Sequence, residues 1–213
     1  MSDRATVHPV PYHAQWASPE LVEAIIGGSL SAADDPLWRA YGAESAEEYA
    51  WWSWRLCGVA CLRMALEYWR GWAPAPMALA AQCVAAGAYV RRGERLEGLV
   101  YAPFASYAQE HWGLQAQARP ELPVREIAQL ITSGHLVMLS VHPSIRELAP
   151  SPPSRGGHLV LAVGVTDEAL VFHNPSGFHG QSQEFARIGW GDLDRFYAGR
   201  GVVLGAGGGT EAH

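Results

Sequence analysis

The sequence predicts an α+β domain, with helices filling the first half of the chain and an antiparallel sheet the second. Two observations carry this. Between residues 57 and 132 apolar residues recur at helical spacing, as in CGVACLRMALEYWR and VREIAQLIT; beyond residue 135 they run in short blocks, HLVMLSV, HLVLAVGV, ALVFHN and GVVLG, punctuated by Gly, Asp, Ser and Pro. The chain has 213 residues, 49% of them hydrophobic, enough to bury a core without metal or disulfide. One domain is expected over residues 1–204, with 205–213 a flexible tail.

In order, residues 1–18 read as an extended arm. SPELVEAI then starts a short helix with Ser18 as cap and Pro19 at its first position, GGSLSAADDP is a loop, and AESAEEYAWW forms one or two helical turns. Trp38, Tyr41, Tyr49, Trp51, Trp52 and Trp54 crowd the segment just before Cys57, where they either wall a cleft or pack a satellite core. The helix over 57–70 is apolar almost all round, with a polar stripe of Arg63, Glu67 and Arg70, so it is expected to be central and buried. Gly71 stops it. MALAAQCVAAGAY is a second helix, and LVYAPFASYAQEHW a third with Pro103 near its start. Next come a strand LQAQAR, a helix PVREIAQLITSG with one apolar face, and a strand HLVMLSV. HLVLAVGVT and ALVFHN flank the tight DE turn as a hairpin; QEFARI is a strand, GDLDRFYAG a short helix and GVVLG a closing strand.

Charge and cysteine usage exclude several functions. The net charge is −6, and the 15 basic residues stand singly or in pairs, which gives no footprint for nucleic acid. No apolar run is long enough to span a bilayer and the first thirty residues lack a signal-peptide pattern, so a cytoplasmic protein without membrane contact is expected. Three cysteines and nine histidines are present, but no Cys/His spacing suits a metal, and neither metal nor cofactor is expected. Cys61 faces the core from the Cys57 helix, and Cys83 sits among alanines; both read as packing. Oligomeric state is not legible.

Cys57 is different. It opens a helix, where unpaired backbone N–H groups favour an anion. Downstream, His158 begins a strand and Asn174 ends its hairpin partner, which brings the two to one end of the pair. An amide oxygen on one imidazole nitrogen would fix the tautomer and aim the other at the thiol, while His173 points to the opposite sheet face. A nucleophile, a base and an orienter therefore occur together. The Pro-rich segment 142–157 runs into His158 and carries Arg146 and Gly157. With Trp52 and Trp54, these two are the expected substrate-contacting residues, Arg146 meeting a carboxylate or carbonyl.

Four segments, VPYHAQW, CGVACLRMAL, GGHLVLAVGV and FHNPSG, resemble the papain-like cysteine peptidases of the C39 type. The resemblance spans most of the chain. It implies a papain-like fold in which the Cys57 helix packs on the sheet, with Cys57 as nucleophile, His158 as base, Asn174 as orienter and Gln15 in the oxyanion hole. Asn174 stands where C39-type proteins commonly carry Asp; papain uses Asn. The C39 domains that process bacteriocin leaders are fused to ABC transporters, and no such membrane domain is expected here.

The expected function is cleavage of a peptide or amide bond through a thioacyl-enzyme, with a peptide or small amide as partner. An amine acceptor in place of water would make the same triad an acyl or peptidyl transferase. The alternative from another class is a catalytically silent papain-like module that binds a peptide or small molecule in an aromatic cleft.

Overall fold

The computed structural model describes residues 5–93, 95–147 and 151–208. In chain order the elements are strand β1 (Thr6–Val7), helices α1 (Val22–Ile26), α2 (Ala46–Ser53), α3 (Cys57–Arg70) and α4 (Pro76–Ala85), and a small hairpin of β2 (Arg91–Arg92) and β3 (Arg95–Leu96). There follow α5 (Tyr101–Trp112), β4 (Gln115–Arg119), α6 (Val124–Thr132), β5 (Leu136–Val141), β6 (His158–Val165), β7 (Ala169–His173), β8 (Ala186–Gly189), α7 (Trp190–Leu193) and β9 (Tyr197–Gly205). The main sheet is antiparallel, in the order β4-β9-β5-β6-β7-β8. β1 pairs with β6 where β5 leaves its edge free.

Side-chain alternation along the strands assigns two cores. Leu136, Met138, Leu159, Leu161, Val163 and Val202 face α3, α4 and α5, whereas Val137, Leu139, Val160, Ala162 and Val203 face α6 and α7. Covered on both faces, β5 and β6 read as unbroken apolar runs rather than alternating ones. Among the described residues, no helix is long and apolar enough to cross a membrane.

α3 is the centre of the helical layer, with Val59, Cys61, Leu62 and Leu66 wholly buried. Its polar stripe ties neighbouring chain to the helix: Arg63 Nε donates to Pro74 O at 2.9 Å, Glu67 pairs with His13 at 2.6 Å, and Arg70 donates to Trp112 O. Gly71 ends it with φ +76°, a left-handed conformation that costs glycine little.

Several local expectations are corrected. The N-terminal arm contributes a sheet strand, because Thr6 and Val7 pair with Val165 and Gly164. Ser18 does not cap its helix; its hydroxyl donates to buried Asp35 at 2.6 Å, and the chain turns through a 3-10 segment, Pro19–Leu21, before α1. Asp35 also accepts from Ser18 N, Leu37 N and the Tyr49 hydroxyl, a buried carboxylate knot that hydrophobic patterning does not reveal. A 3-10 turn, Pro143–Arg146, interrupts the loop expected over 142–157, of which residues 148–150 lie outside the described residues. Gly205, placed in the expected tail, pairs with Gln115; residues 209–213 lie outside the described residues.

Two bulges shape the sheet. Between β6 and β7 the register slips at Val163, since Ala162 pairs with Phe172 but Gly164 with Val171. Between β5 and β9, Leu139 pairs with Gly201 and Val141 with Tyr197, so Ser140 alone opposes Ala198, Gly199 and Arg200. The second lies beside the site described next, and the first sets the register of the strand pair that leads to it.

Candidate active site

A cavity of about 640 Å³ opens between the N-terminus of α3 and the start of β6, and Cys57 and His158 both line it. Leu56, which precedes α3, offers no capping side chain, so the first N–H groups of the helix are left for another acceptor. Cys57, the first residue of α3, sets its sulfur at that end. Backbone N–H groups of Leu159, Gly58 and Cys57 favour its thiolate, but burial outweighs them and pushes the thiol up from its ordinary value. Gly58 leaves room for the neighbouring side chains: a Cβ there would stand 2.8 Å from Leu99 Cδ2 and 3.3 Å from Leu159 Cδ1, which would have to move aside. On the far side of the Leu159 peptide, the Cys61 thiol donates to its carbonyl at 3.8 Å.

The bulge at Val163 decides what His158 meets. Extending the β6–β7 register beyond Leu161–His173 sets Asn174 opposite Val160, on the face that His158 shares; without the extra residue Asn174 would fall on the other face. His158 Nε2 lies 2.8 Å from Asn174 Oδ1. That oxygen also accepts from Ser176 N at 3.1 Å and the Ser176 hydroxyl at 3.3 Å, which settles the amide's orientation, because a flipped NH2 would face the Ser176 N–H. His158 therefore donates through Nε2 and keeps the Nδ1 lone pair for a thiol proton.

The orienting shell is deep. Asn174 N donates to Gln183 O at 2.7 Å, and its carbonyl accepts from the Tyr12 hydroxyl at 3.0 Å. Asn174 Nδ2 is buried without a partner among the described residues. Arg146 donates to Ser176 Oγ at 2.8 Å and to Ser176 O at 3.0 Å. Burial above all, and secondarily the Arg146 charge, lowers the His158 pKa to about 4, against the opposing pull of the Asn174 hydrogen bond.

The structure brings together some of the residues singled out in the sequence and separates others. Cys57, His158, Trp54 and Gly157 line the cavity. Trp52 does not; it is buried and packs edge-on against Trp51, whose ring Arg55 covers at 4.1 Å. Arg146 does not line it either, because its guanidinium is bound behind the imidazole and borders a separate cavity with Phe178 and Arg187. Gln15 lies outside the cavity lining; its N–H donates to Pro175 O at 2.7 Å, its carbonyl accepts from the Tyr41 hydroxyl, and its side-chain Oε1 is buried without a partner among the described residues. Of the six aromatics before Cys57, Tyr41 and Tyr49 are buried in the main core of the helical layer, edge-on to each other, and only Trp54, 48% exposed against Trp16, reaches the cleft.

Sequence reasoning missed one wall. Tyr89, Leu96, Leu99 and Tyr101, on and flanking the β2–β3 hairpin, line the cavity with the nucleophile, and so do Ser140 and Arg200 with His158. The loop Val100 N→Ala88 O bond, 2.8 Å, closes this wall. Gly93, between Arg91–Arg92 and Arg95, was the one available signal of a turn there.

The Peptidase_C39 like family matches residues 44–197. No curated protein matches the sequence. Among solved structures, a C39-like peptidase from Bacillus anthracis is 15% identical, with a TM-score of 0.51 over 70% of this chain and 88% of that one. The peptidase domain of Streptococcus ComA, a bifunctional ABC transporter involved in quorum sensing, is 12% identical, with a TM-score of 0.49 over 73% of this chain and 93% of that one. The Bacillus likeness shows a shared papain-like fold, and the family match spans most of the chain, from α2 to β9. The chain belongs to the C39-like peptidase family.

Proposed function

We propose that the protein is a cysteine-dependent peptidase or amidase that works through Cys57, His158 and Asn174. One observation carries the reading: Cys57, at the N-terminus of α3, shares a cavity wall with His158, while Asn174 Oδ1 holds His158 Nε2 at 2.8 Å. The resting pair is neutral, since the thiol is raised and the imidazole lowered. As Cys57 Sγ attacks the amide carbonyl, His158 Nδ1 takes the thiol proton and then delivers it to the leaving amine. The Cys57 N–H meets the developing oxyanion, a contribution of about 3 kcal/mol per donor. Gln15 is the proposed second donor; its Oε1 makes no hydrogen bond to another described residue. Water attack on the thioester, with His158 again the base, completes the cycle. Trp54 and Gly157 are the proposed substrate contacts from the sequence-read set. Three free cysteines support a reducing, cytoplasmic setting.

The test is acylation by a pool of p-nitrophenyl esters of N-acetyl peptides, followed by peptide mass spectrometry. A thioester on Cys57 is expected, absent in Cys57→Ala and much slower to form in His158→Ala. Undiminished turnover by Cys57→Ala would overturn the assignment.

A further inference from the structure

The bulge in β9 builds a feature that the proposed chemistry does not use. Ser140 alone opposes Ala198, Gly199 and Arg200, with Gly199 left-handed at φ +70°, and such bulges re-aim side chains beside active sites. Here it turns Arg200 into the cavity next to Ser140. The two groups converge on one point: a Cβ on Gly156 would lie 3.0 Å from Ser140 Oγ and 3.3 Å from an Arg200 guanidinium nitrogen. Gly156 has φ +87° and Gly157 φ +96°, so neither position readily takes a side chain that would fill this corner. Ser140 is 2% exposed, yet its hydroxyl makes no hydrogen bond to another described residue.

The other charges on the cavity wall are already engaged. Glu97 pairs with Arg92 at 2.6 Å, and Arg55 donates to Trp51 O while its guanidinium covers the Trp51 ring. Among the described residues Arg200 forms no salt bridge. A cationic fork and a hydroxyl donor, aimed into a largely apolar cleft, match a carboxylate. Gly156 is two residues from His158, a backbone span of at most about 7 Å, so the corner lies on the His158 side of the cleft.

We propose that Arg200 and Ser140 form a carboxylate-binding subsite, and that the substrate preferred by this cleft carries a carboxylate on the His158 side of the bond attacked. The proposal rests on the cleft being the substrate site, as proposed above. Two sources share that chemistry, the terminal carboxylate of a peptide and an Asp or Glu side chain.

Binding is measured without turnover, in full-length Cys57→Ala protein, by tryptophan fluorescence. The probes are N-acetyl-tetra-alanine with a free C-terminus, its C-terminal amide, and amidated tetrapeptides with a single Asp or Asn at each position in turn. At least one carboxylate probe is expected to bind about tenfold tighter than its neutral partner. Added Arg200→Gln should erase the difference, and Arg200→Lys should keep part of it. Preference for the free terminus identifies an end-binding site; preference for Asp at one position identifies side-chain recognition. Equal affinity within every pair, discrimination that survives Arg200→Gln, or no saturable binding of any carboxylate probe at millimolar concentration overturns the proposal. A cleft that discriminates in this way but gives no Cys57 thioester refutes the hydrolase reading alone.

Discussion

Acid should destabilise this protein through His158, by an amount the structure sets. The imidazole is 6% exposed, and burial, with Arg146 behind it, lowers its pKa to about 4 from an ordinary 6.5. The unfolded chain therefore binds a proton that the native state refuses between pH 6.5 and 4, so stability falls as pH falls through that window. A difference of about 2.5 units at 1.36 kcal/mol each gives about 3 kcal/mol, fully developed only near pH 4. The groups facing the ring are the Asn174 oxygen, the Ser176 hydroxyl, the Arg146 charge and, across the cavity, the Cys57 thiol. None of them is an anion while Cys57 is protonated, so nothing offsets the burial. Urea unfolding at pH 7 and pH 4 should show wild type losing about 3 kcal/mol more than His158→Gln, with carboxylate titration common to both and cancelling. Equal losses would refute the reasoning. So would an imidazole NMR titration midpoint above 6.5, which would mean that a thiolate–imidazolium pair is the resting state.

Arg146→Gln removes the positive charge behind the imidazole and should raise the His158 midpoint in the same NMR titration, shifting the acid limb of any rate profile upward. Asn174→Asp places an anion 2.8 Å from Nε2 and removes the orphan Nδ2, so the midpoint should rise further, with the hydrogen bond kept. Asp35→Ala leaves the Ser18 and Tyr49 hydroxyls buried without their acceptor and should cost roughly 3–5 kcal/mol in urea unfolding, far from the cleft.

The helical layer and the strands were legible because their apolar periodicity is strong, and Cys57, His158 and Asn174 were legible because a helix start and the two ends of a hairpin are sequence-local features. What brings His158 and Asn174 onto one face is not local. It depends on one extra residue at Val163, and in a strand buried on both faces no polar position marks such a slip. Arg200 was hidden for the same reason, since three residues opposing one cannot be read from YAGRGVVLG alone. Trp52 and Trp54 could not be told apart by composition; the last turn of α2 buries one and exposes the other. Arg146 was expected from its type to meet a substrate carboxylate or carbonyl, but the residue that engages it, Ser176, lies on a different loop, and only the tertiary fold sets the guanidinium behind the histidine.

The N-terminal arm is the part of the site most exposed to a single substitution elsewhere. Tyr12 and Gln15 reach the Asn174–Pro175 backbone from this arm, and the arm is docked by β1, by His8 N donating to Val163 O at 2.9 Å and by the His173 ring on Val10 O at 2.8 Å. β1 can approach β6 only because Gly164 has no side chain: a Cβ there would stand 2.9 Å from Thr6 O and 3.0 Å from Val7 Cα, both on backbone that cannot swing aside. Gly164→Ala should therefore displace the strand, costing about 1–3 kcal/mol in urea unfolding, within the range of core overpacking. Hydrogen exchange should accelerate at His8 and Gln15, whose N–H groups are bonded in the docked arm, while α3 and β5 stay protected. Cys57 and His158 make no hydrogen bond to the arm themselves, so Cys57 acylation should persist, slowed by the loss of what Gln15 supplies to the oxyanion and of the hold that Tyr12 and Gln15 keep on the Asn174–Pro175 backbone. Unchanged exchange along the arm would show that β1 tolerates the methyl group and that its close approach to Gly164 does not hold the arm in place.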